Sequence, residues 1–387
     1  MKLLVYGGSF NPPHLAHCRL AELSYETVKP DLALIVPASV PPHKELSPDS
    51  PEAEVRARLC ELAFGELQGF EISDIELKRQ KKSYTWETLD ELRKLYNNPE
   101  LYLVVGSDMF LSFEKVWSRS DYILQNASLI VLARENEDIE DMFRYKSELE
   151  RKHSGNILII NSPVMPMSSS EIREELKIRR GREKLSEAVY REIIRLRLYG
   201  AKPDLYWLLE DSLRYIEDIE RKEHIKGSAK AARDLALHWG CDAGIAEEAA
   251  ILHDLTKNCP RDFHLALNEK YGNFFSQAEL QNHKLMHAKT SAYYARELYG
   301  IGDEVFGAIY WHTTGKPDMT KLEKLVYLAD LIEENREFKD ISHIRKLAFE
   351  DLDRAMQYAL TVGIEKLKLE RIEPCEDSIR ALSFYGG

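Results

Sequence analysis

The string Gly7-Gly8-Ser9-Phe10-Asn11-Pro12-Pro13-His14-Leu15-Ala16-His17, directly after the apolar run from Lys2 to Tyr6, constrains this chain more than any other feature. A short, continuous apolar run reads as a buried parallel strand. Two glycines at its end let the backbone turn sharply and bring N–H groups close to phosphate oxygens. If Pro13 opens a helix, His14 and His17, three residues apart, share a face of its first turn. Two imidazoles beside a positive helix terminus suit a triphosphate. They can stabilise charge on the transferring phosphorus and on departing pyrophosphate without a covalent intermediate. Gly7, Gly8, Ser9, Phe10, His14 and His17 are the candidate residues of this phosphate cradle.

Further short apolar runs follow at Leu32 to Val36, Leu101 to Val105, Leu129 to Leu132 and Ile157 to Ile160. Amphipathic helical patterns, such as Pro51 to Glu66 and Thr85 to Tyr96, lie between them. Strands alternating with helices predict a Rossmann-like α/β domain, with a parallel sheet and ligands at the carboxyl ends of its strands. Near Tyr199 the character changes. Gly200-Ala201-Lys202-Pro203 carries helix breakers at both ends and reads as a linker. Beyond it helical periodicity dominates: Leu205 to Glu223, Ser228 to His238, Ala243 to His253, His287 to Leu298 and Leu322 to Glu334. The second domain is therefore expected to be all-α. The 387 residues divide into expected domains at 1–200 and 204–387, each long enough to bury its own core.

A net charge of −12 argues against a general nucleic-acid or anionic-membrane surface. No run of about 18 apolar residues suggests a membrane span. The cysteines Cys18, Cys60, Cys241, Cys259 and Cys375 are scattered and form no CxxC, which fits a reducing cytoplasm better than a disulfide framework. The sequence leaves the oligomeric state open, a homodimer included.

The cradle string resembles the GxFxPxHxGH motif of the HxGH nucleotidyltransferase superfamily. Further matches narrow the resemblance to the nicotinate mononucleotide adenylyltransferases. Pro37-Ala38 through Pro41-Pro42-His43-Lys44 is similar to that family's PAxxPPHK loop, and Ser83-Tyr84-Thr85 before Glu87-Thr88-Leu89 to its SYTxxTL segment. Gly106-Ser107-Asp108 followed by Trp117 resembles its GxD…W pattern, and Ser168-Ser169-Ser170-Glu171-Ile172-Arg173 its ISSTxIR motif. The resemblance spans nearly all of residues 1–197 and implies transfer of the adenylyl group of ATP, with Mg²⁺, to nicotinate mononucleotide. It also implies that the nicotinate carboxylate is read by backbone N–H groups near Thr85 and Trp86. Side-chain chemistry fits: Ser168 and Ser169 open a helix with hydroxyls and free N–H groups for phosphate, and Arg173 adds a bidentate cation. Lys44 follows a stiff Pro-Pro turn beside His43, Asp108 at an expected strand end suits a ribose hydroxyl, and Trp117 offers a flat face to the pyridine. Ala16 stands where the motif has glycine, the smallest side-chain change. Related transferases acting on phosphopantetheine or nicotinamide mononucleotide are the alternatives, and the SYT and PPHK segments argue against them.

The second half holds His224, His253-Asp254, Lys257, His287, His312 and Asp330 at intervals too wide for a zinc finger. Wide spacing is what results when each helix of a bundle donates one ligand to a central pocket. Four imidazoles and two carboxylates suffice for two metal ions with one carboxylate bridging, and such metals make a bound water acidic enough to attack at neutral pH. His238, His264, His283 and His343 read as incidental. The set resembles the H…HD…D pattern of the HD phosphohydrolase superfamily. More narrowly, His253-Asp254-Leu255-Thr256-Lys257, His287-Ala288, His312-Thr313-Thr314-Gly315 and Ala329-Asp330 through Arg336 look like bacterial hydrolases that cut diadenosine tetraphosphate symmetrically to two ADP. That resemblance implies iron or manganese as the metals, with Lys257 and Arg336 steadying phosphates. A non-catalytic nucleotide-sensing module, or action on another phosphate ester, is the alternative.

Overall fold

The structure, a computed structural model, describes residues 1–41, 45–79, 82–132, 138–153, 155–160, 167–214 and 216–386. His43 and Lys44 lie outside them. The chain forms two compact units, Met1–Lys202 and Pro203–Gly387. The chain stays packed on the first unit through Lys202: Ala201 is buried, and the Lys202 N–H donates to the Leu176 carbonyl at 2.9 Å.

The first unit is built on a parallel sheet of six strands, β1 (Lys2–Gly8), β2 (Leu32–Pro37), β3 (Phe70–Ile72), β4 (Glu100–Gly106), β5 (Ser128–Leu132) and β6 (Ile157–Ile160), in the order β3-β2-β1-β4-β5-β6. The five expected strands are all present. The additional β3 is three residues long and pairs along the edge of β2, too short for any hydrophobic period to register. Both faces of the sheet are covered, so the strands are apolar on both. Leu3 and Val5 enter one core layer and Leu4 and Tyr6 the other. Each fully buried Leu or Val contributes roughly 1.5–3 kcal/mol relative to exposure, and this double burial holds the register of β1 between β2 and β4.

The chain winds outward from β1 in one direction and from β4 in the other. The crossovers therefore diverge between β1 and β4 and leave a crevice at their carboxyl ends, where α/β sheets bind ligands. Gly7-Gly8 ends β1 and Gly106 ends β4, so the two motifs border the same crevice.

The second unit is helical, and no strand occurs among its described residues. The helices Ile219–His238, Ala243–Leu252, Met286–Tyr299 and Lys321–Ile332 carry, or lead directly into, candidate metal ligands. One expectation fails. Leu205 to Glu223 is not one helix: the first ends at Leu213 and a second starts at Ile219. The reason is local, because the Asp218 side chain accepts from the Arg221 N–H at 3.2 Å and nucleates a new N-terminus. No helix among the described residues is long and apolar enough to cross a membrane, and the five cysteines are free.

Candidate functional sites

In the first unit the helix after the cradle begins at Leu15, not Pro13, and His14 is its N-cap. His14 and His17 nevertheless meet. Their rings stack with centroids 3.6 Å apart, and the His14 N–H donates to His17 Nδ1 at 3.2 Å. Phe10, buried and at φ 44°, sets the edge of its ring against His17 at 5.3 Å. A Cβ at Gly8 would stand 3.0 Å from the Phe10 ring, so a side chain there would press on that ring. Ala16 is the second residue of the helix and only partly buried.

Ser168 caps the Ser169–Lys177 helix and accepts from the Ser170 N–H at 3.3 Å. Ser169 Oγ donates to the Pro12 carbonyl at 3.0 Å. Arg173, largely buried, donates to the Asn11 carbonyl at 2.8 Å and to Ser170 Oγ at 3.3 Å. The serine cluster and arginine are thus brought onto the histidine turn from the far end of the unit.

Asp108 is not at the strand end itself. It is the exposed second residue of the short Ser107–Leu111 helix that follows Gly106. Trp117 ends the next turn, tilted over Phe113 at 5.1 Å. Trp86 packs on the same core layer as Trp117. Thr85 and Trp86 open the Thr85–Leu95 helix after Tyr84, whose carbonyl already receives the N–H groups of Glu87 and Thr88. The N–H groups of Thr85 and Trp86 are first-turn donors outside the helical ladder. Arg119 lies over both Trp86 (4.7 Å) and Tyr122 (4.5 Å), a contact that no motif signalled.

In the second unit all six metal-ligand candidates converge. His224 comes from Ile219–His238, His253 and Asp254 from the end of Ala243–Leu252, and His287 from Met286–Tyr299. His312 follows Asp303–Tyr310, and Asp330 lies in Lys321–Ile332. His253, Asp254, His287 and His312 are at most 2% exposed. His224 Nε2 lies 2.9 Å from Asp330 Oδ1, and His287 Nε2 lies 3.0 Å from Asp254 Oδ1. Asp254 faces two ways: Oδ2 toward His253 (3.5 Å) and His224 (3.8 Å), Oδ1 toward His287 and His312 (3.7 Å). Two overlapping donor groups result, His224-His253-Asp330 and His253-Asp254-His312.

The ring orientations follow from what holds each Nδ1. His253, His287 and His312 present Nδ1 to the carbonyls of Ala250, Lys284 and Ile309 at 2.6–2.7 Å. A carbonyl only accepts, so each Nδ1 carries the proton and each neutral Nε2 carries a lone pair. His224 Nδ1 is held by Glu333 Oε1 at 3.2 Å. Four Nε2 lone pairs therefore point at one another and at carboxylate oxygens. His224 Nε2, His253 Nε2 and Asp254 Oδ1 are buried without a hydrogen bond. Lone pair facing lone pair is repulsive unless a cation is shared, so this donor set fits divalent metal.

Burial and the neighbouring carboxylates act differently on the individual rings. Burial pushes His312 down and His287 down to about 4. Burial also opposes charge on His253, but Asp254 and Asp330 outweigh it and raise that imidazole. Burial alone would raise Asp254, yet His253 and His287 hold it well below the usual carboxylate range.

Cations rim the cluster. Lys257 Nζ reaches His287 Nε2 at 2.8 Å, and Arg336 reaches Asp330 Oδ1 at 3.0 Å. Sequence reasoning missed Arg221, 2.5 Å from Asp254 Oδ2, and Glu333. Arg221 was within reach of a periodicity argument, being three residues from His224 on one helix, whereas Glu333 lies at the C-cap just past the helix of Asp330. Gly227 makes room for Glu333: a Cβ there would fall 2.5 Å from its Oε2. His238, His264 and His343 lie outside the cluster, held by Phe349, Thr290 and Tyr358.

Known proteins match both units. Residues 5–175 match the family model described as cytidylyltransferase-like, and residues 221–335 match the HD domain. A probable nicotinate-nucleotide adenylyltransferase of Clostridium tetani is 32% identical over 176 residues, 46% of this chain and 87% of its own. A Mycoplasma pneumoniae protein named probable nicotinate-nucleotide adenylyltransferase/Ap4A hydrolase is 25% identical over 364 residues, 92% of this chain and 97% of its own. A crystal structure from Clostridium acetobutylicum, described as a predicted HD superfamily hydrolase involved in NAD metabolism, is 30% identical. It covers 46% of this chain and 96% of its own, with a TM-score of 0.45. The chain thus belongs, through its first half, to the nicotinate-nucleotide adenylyltransferase family, and it carries an HD domain in its second.

Proposed function

We propose that the protein is a bifunctional enzyme. Its first unit transfers the adenylyl group of ATP to nicotinate mononucleotide, giving nicotinate adenine dinucleotide and pyrophosphate. Its second hydrolyses diadenosine tetraphosphate to two ADP. The observation behind the first activity is the stacked His14–His17 pair at the mouth of the β1/β4 crevice. Behind the second it is the convergence of four Nε2 atoms on two carboxylates.

In the first unit His14 and His17 stabilise charge on the triphosphate, and Mg²⁺ enters with ATP. Gly7, Gly8, Ser9 and Phe10 shape the cradle. Ser168, Ser169 and Arg173 support it, and His43 and Lys44 are assigned to the phosphates as well. Gly106 and Asp108 take the ribose, Trp117 the pyridine, and Thr85 and Trp86 the carboxylate.

In the second unit His224, His253, Asp254, His287, His312 and Asp330 would hold two metal ions, iron or manganese, with Asp254 the carboxylate placed to serve both. Bound there, the metals would make a water acidic enough to attack phosphorus at neutral pH. Lys257 and Arg336 grip the phosphate chain. The test is direct: ATP with nicotinate mononucleotide should yield the dinucleotide, and diadenosine tetraphosphate should yield ADP alone. ATP plus AMP from the tetraphosphate would refute the symmetrical cut.

Substrate choice provides a second check. Each amide donor to a charged carboxylate contributes about 1.5–3 kcal/mol, so two of them predict a preference for nicotinate over nicotinamide mononucleotide of about 10²-fold or more in kcat/KM. Steady-state kinetics with both substrates reads this. Equal efficiency would remove Thr85 and Trp86 from recognition.

Glu333 offers a third. Partners that orient a ligating imidazole typically contribute about 10–100-fold in metal affinity. Glu333→Gln should weaken metal binding in the second unit by that factor, measured by chelator competition, and leave dinucleotide formation unchanged. Undiminished affinity would mean that His224 is oriented by something else.

A further inference from the structure

Arg56, on the Ala53–Phe64 helix, is only 1% exposed, and no carboxylate among the described residues forms an ion pair with it. Its guanidinium donates to three main-chain carbonyls instead: Ser9 at 2.7 Å, Ala38 at 2.7 Å and Ser39 at 2.9 Å. Ser9 belongs to the turn after β1, and Ala38 and Ser39 to the turn after β2. Burying a cation among neutral groups is costly where an apolar side chain could fill the same volume, so its retention calls for a reason. Burial does lower the guanidinium pKa, but arginine stays charged at any physiological pH.

The geometry of the peptide unit suggests that reason. In a trans peptide the C=O and the following N–H point in opposite directions, and the one cis bond among the described residues is Asn11–Pro12. Drawing the Ser9 and Ala38 carbonyls toward Arg56 therefore turns the Phe10 and Ser39 amides away from it. Drawing in the Ser39 carbonyl likewise orients Val40, whose carbonyl receives the Ser83 N–H at 3.3 Å in a parallel bridge to Lys82. Arg56 thus sets the cradle turn, the turn after β2 and the start of the segment leading to Thr85 and Trp86. A cleft of about 390 Å³, lined by Ser39, Val40, Ser50, Glu52 and Arg56 among others, borders the same turn. That volume is in the range of small-molecule sites.

We propose that Arg56 is a positioning residue of the adenylyl-transfer site: it fixes the peptide planes after β1 and β2 so that the Phe10 and Ser39 amides face the phosphates of the bound nucleotide. The proposal rests on the reading of the first unit given above. Arg56→Met removes all three carbonyl bonds. Arg56→Lys keeps the charge but cannot span both turns.

Misplacement of positioned groups by about 1 Å costs about 10²-fold. In the full chain, Arg56→Met should lower kcat/KM for dinucleotide formation by about that factor, chiefly through a raised KM for ATP, and Arg56→Lys should recover only part of it. Hydrolysis of diadenosine tetraphosphate should stay at the wild-type rate. In the wild-type protein, inorganic pyrophosphate should shift the Phe10 and Ser39 amide resonances and slow their hydrogen exchange. Folded variants within threefold of wild type would overturn the proposal, as would Phe10 and Ser39 amides unmoved at saturating pyrophosphate. If neither variant folds, the pyrophosphate titration decides alone. A wild-type protein that makes no dinucleotide fails the functional reading instead, a result distinct from either.

Discussion

Asp254→Ala is expected to empty the second unit of metal and to reduce hydrolysis of diadenosine tetraphosphate by about 10³-fold or more, because on the proposed reading a bound metal would supply the attacking water. The prediction follows from the two faces of this carboxylate, Oδ2 toward His224 and His253 and Oδ1 toward His287 and His312. No other residue in the cluster touches both donor groups through separate atoms. Losing the carboxylate also leaves Arg221 and the surrounding imidazoles without their anion. Removing one partner of a buried pair costs about 3–5 kcal/mol, so Asp254→Asn, which keeps the volume, is the companion variant. Elemental analysis of the folded protein and chromatographic detection of ADP check the prediction, with dinucleotide formation as the internal control. A folded variant with undiminished metal would show the ligand assignment to be wrong.

His17→Ala is expected to lose about 10²–10³-fold in the rate of dinucleotide formation, the usual contribution of one preorganised electrostatic stabiliser. The stacking of His14 on His17 and the Phe10 edge against His17 fix this ring at the crevice, so a substitute side chain cannot place charge in the same position. Hydrolysis by the second unit should be unaffected. Single-turnover measurement with ATP and nicotinate mononucleotide separates the chemical step from binding. A variant within twofold of wild type, about 0.4 kcal/mol, would remove His17 from the mechanism.

These two variants probe units whose legibility in the sequence differed. In the first unit the strands were readable because a parallel strand buried on both faces is a continuous apolar run. The turn motif was readable because its chemistry is contiguous. The helix start was misplaced by two residues, since proline at the first helical position is a tendency and the N-cap is decided by local hydrogen bonds. Asp108 was assigned to a strand end, but the chain coils into a helix immediately after Gly106. In the second unit a helical pattern read straight through from Leu205 to Glu223, and the cap at Asp218 interrupts it. A cap is a single side-chain contact, too small a signal to stand out against amphipathic periodicity.

The sequence by itself determined the two-part organisation, the glycine-histidine turn after the first strand and the residue types of the candidate metal-binding cluster. Each of these is carried by local strings and by the period of apolar residues. The resemblance to a known family picked out four of the twelve histidines, but tertiary structure alone decided how closely they meet and which way their rings face. Those facts depend on helices packed side by side and on carbonyls that capture each Nδ1. Spacing along the chain encodes neither, because residues more than a turn or two apart are brought together only by the packing of the core. Arg56 is the sharpest case. As one arginine in an amphipathic helix it reads as a solvated charge, and its three carbonyl partners lie 17, 18 and 47 residues away.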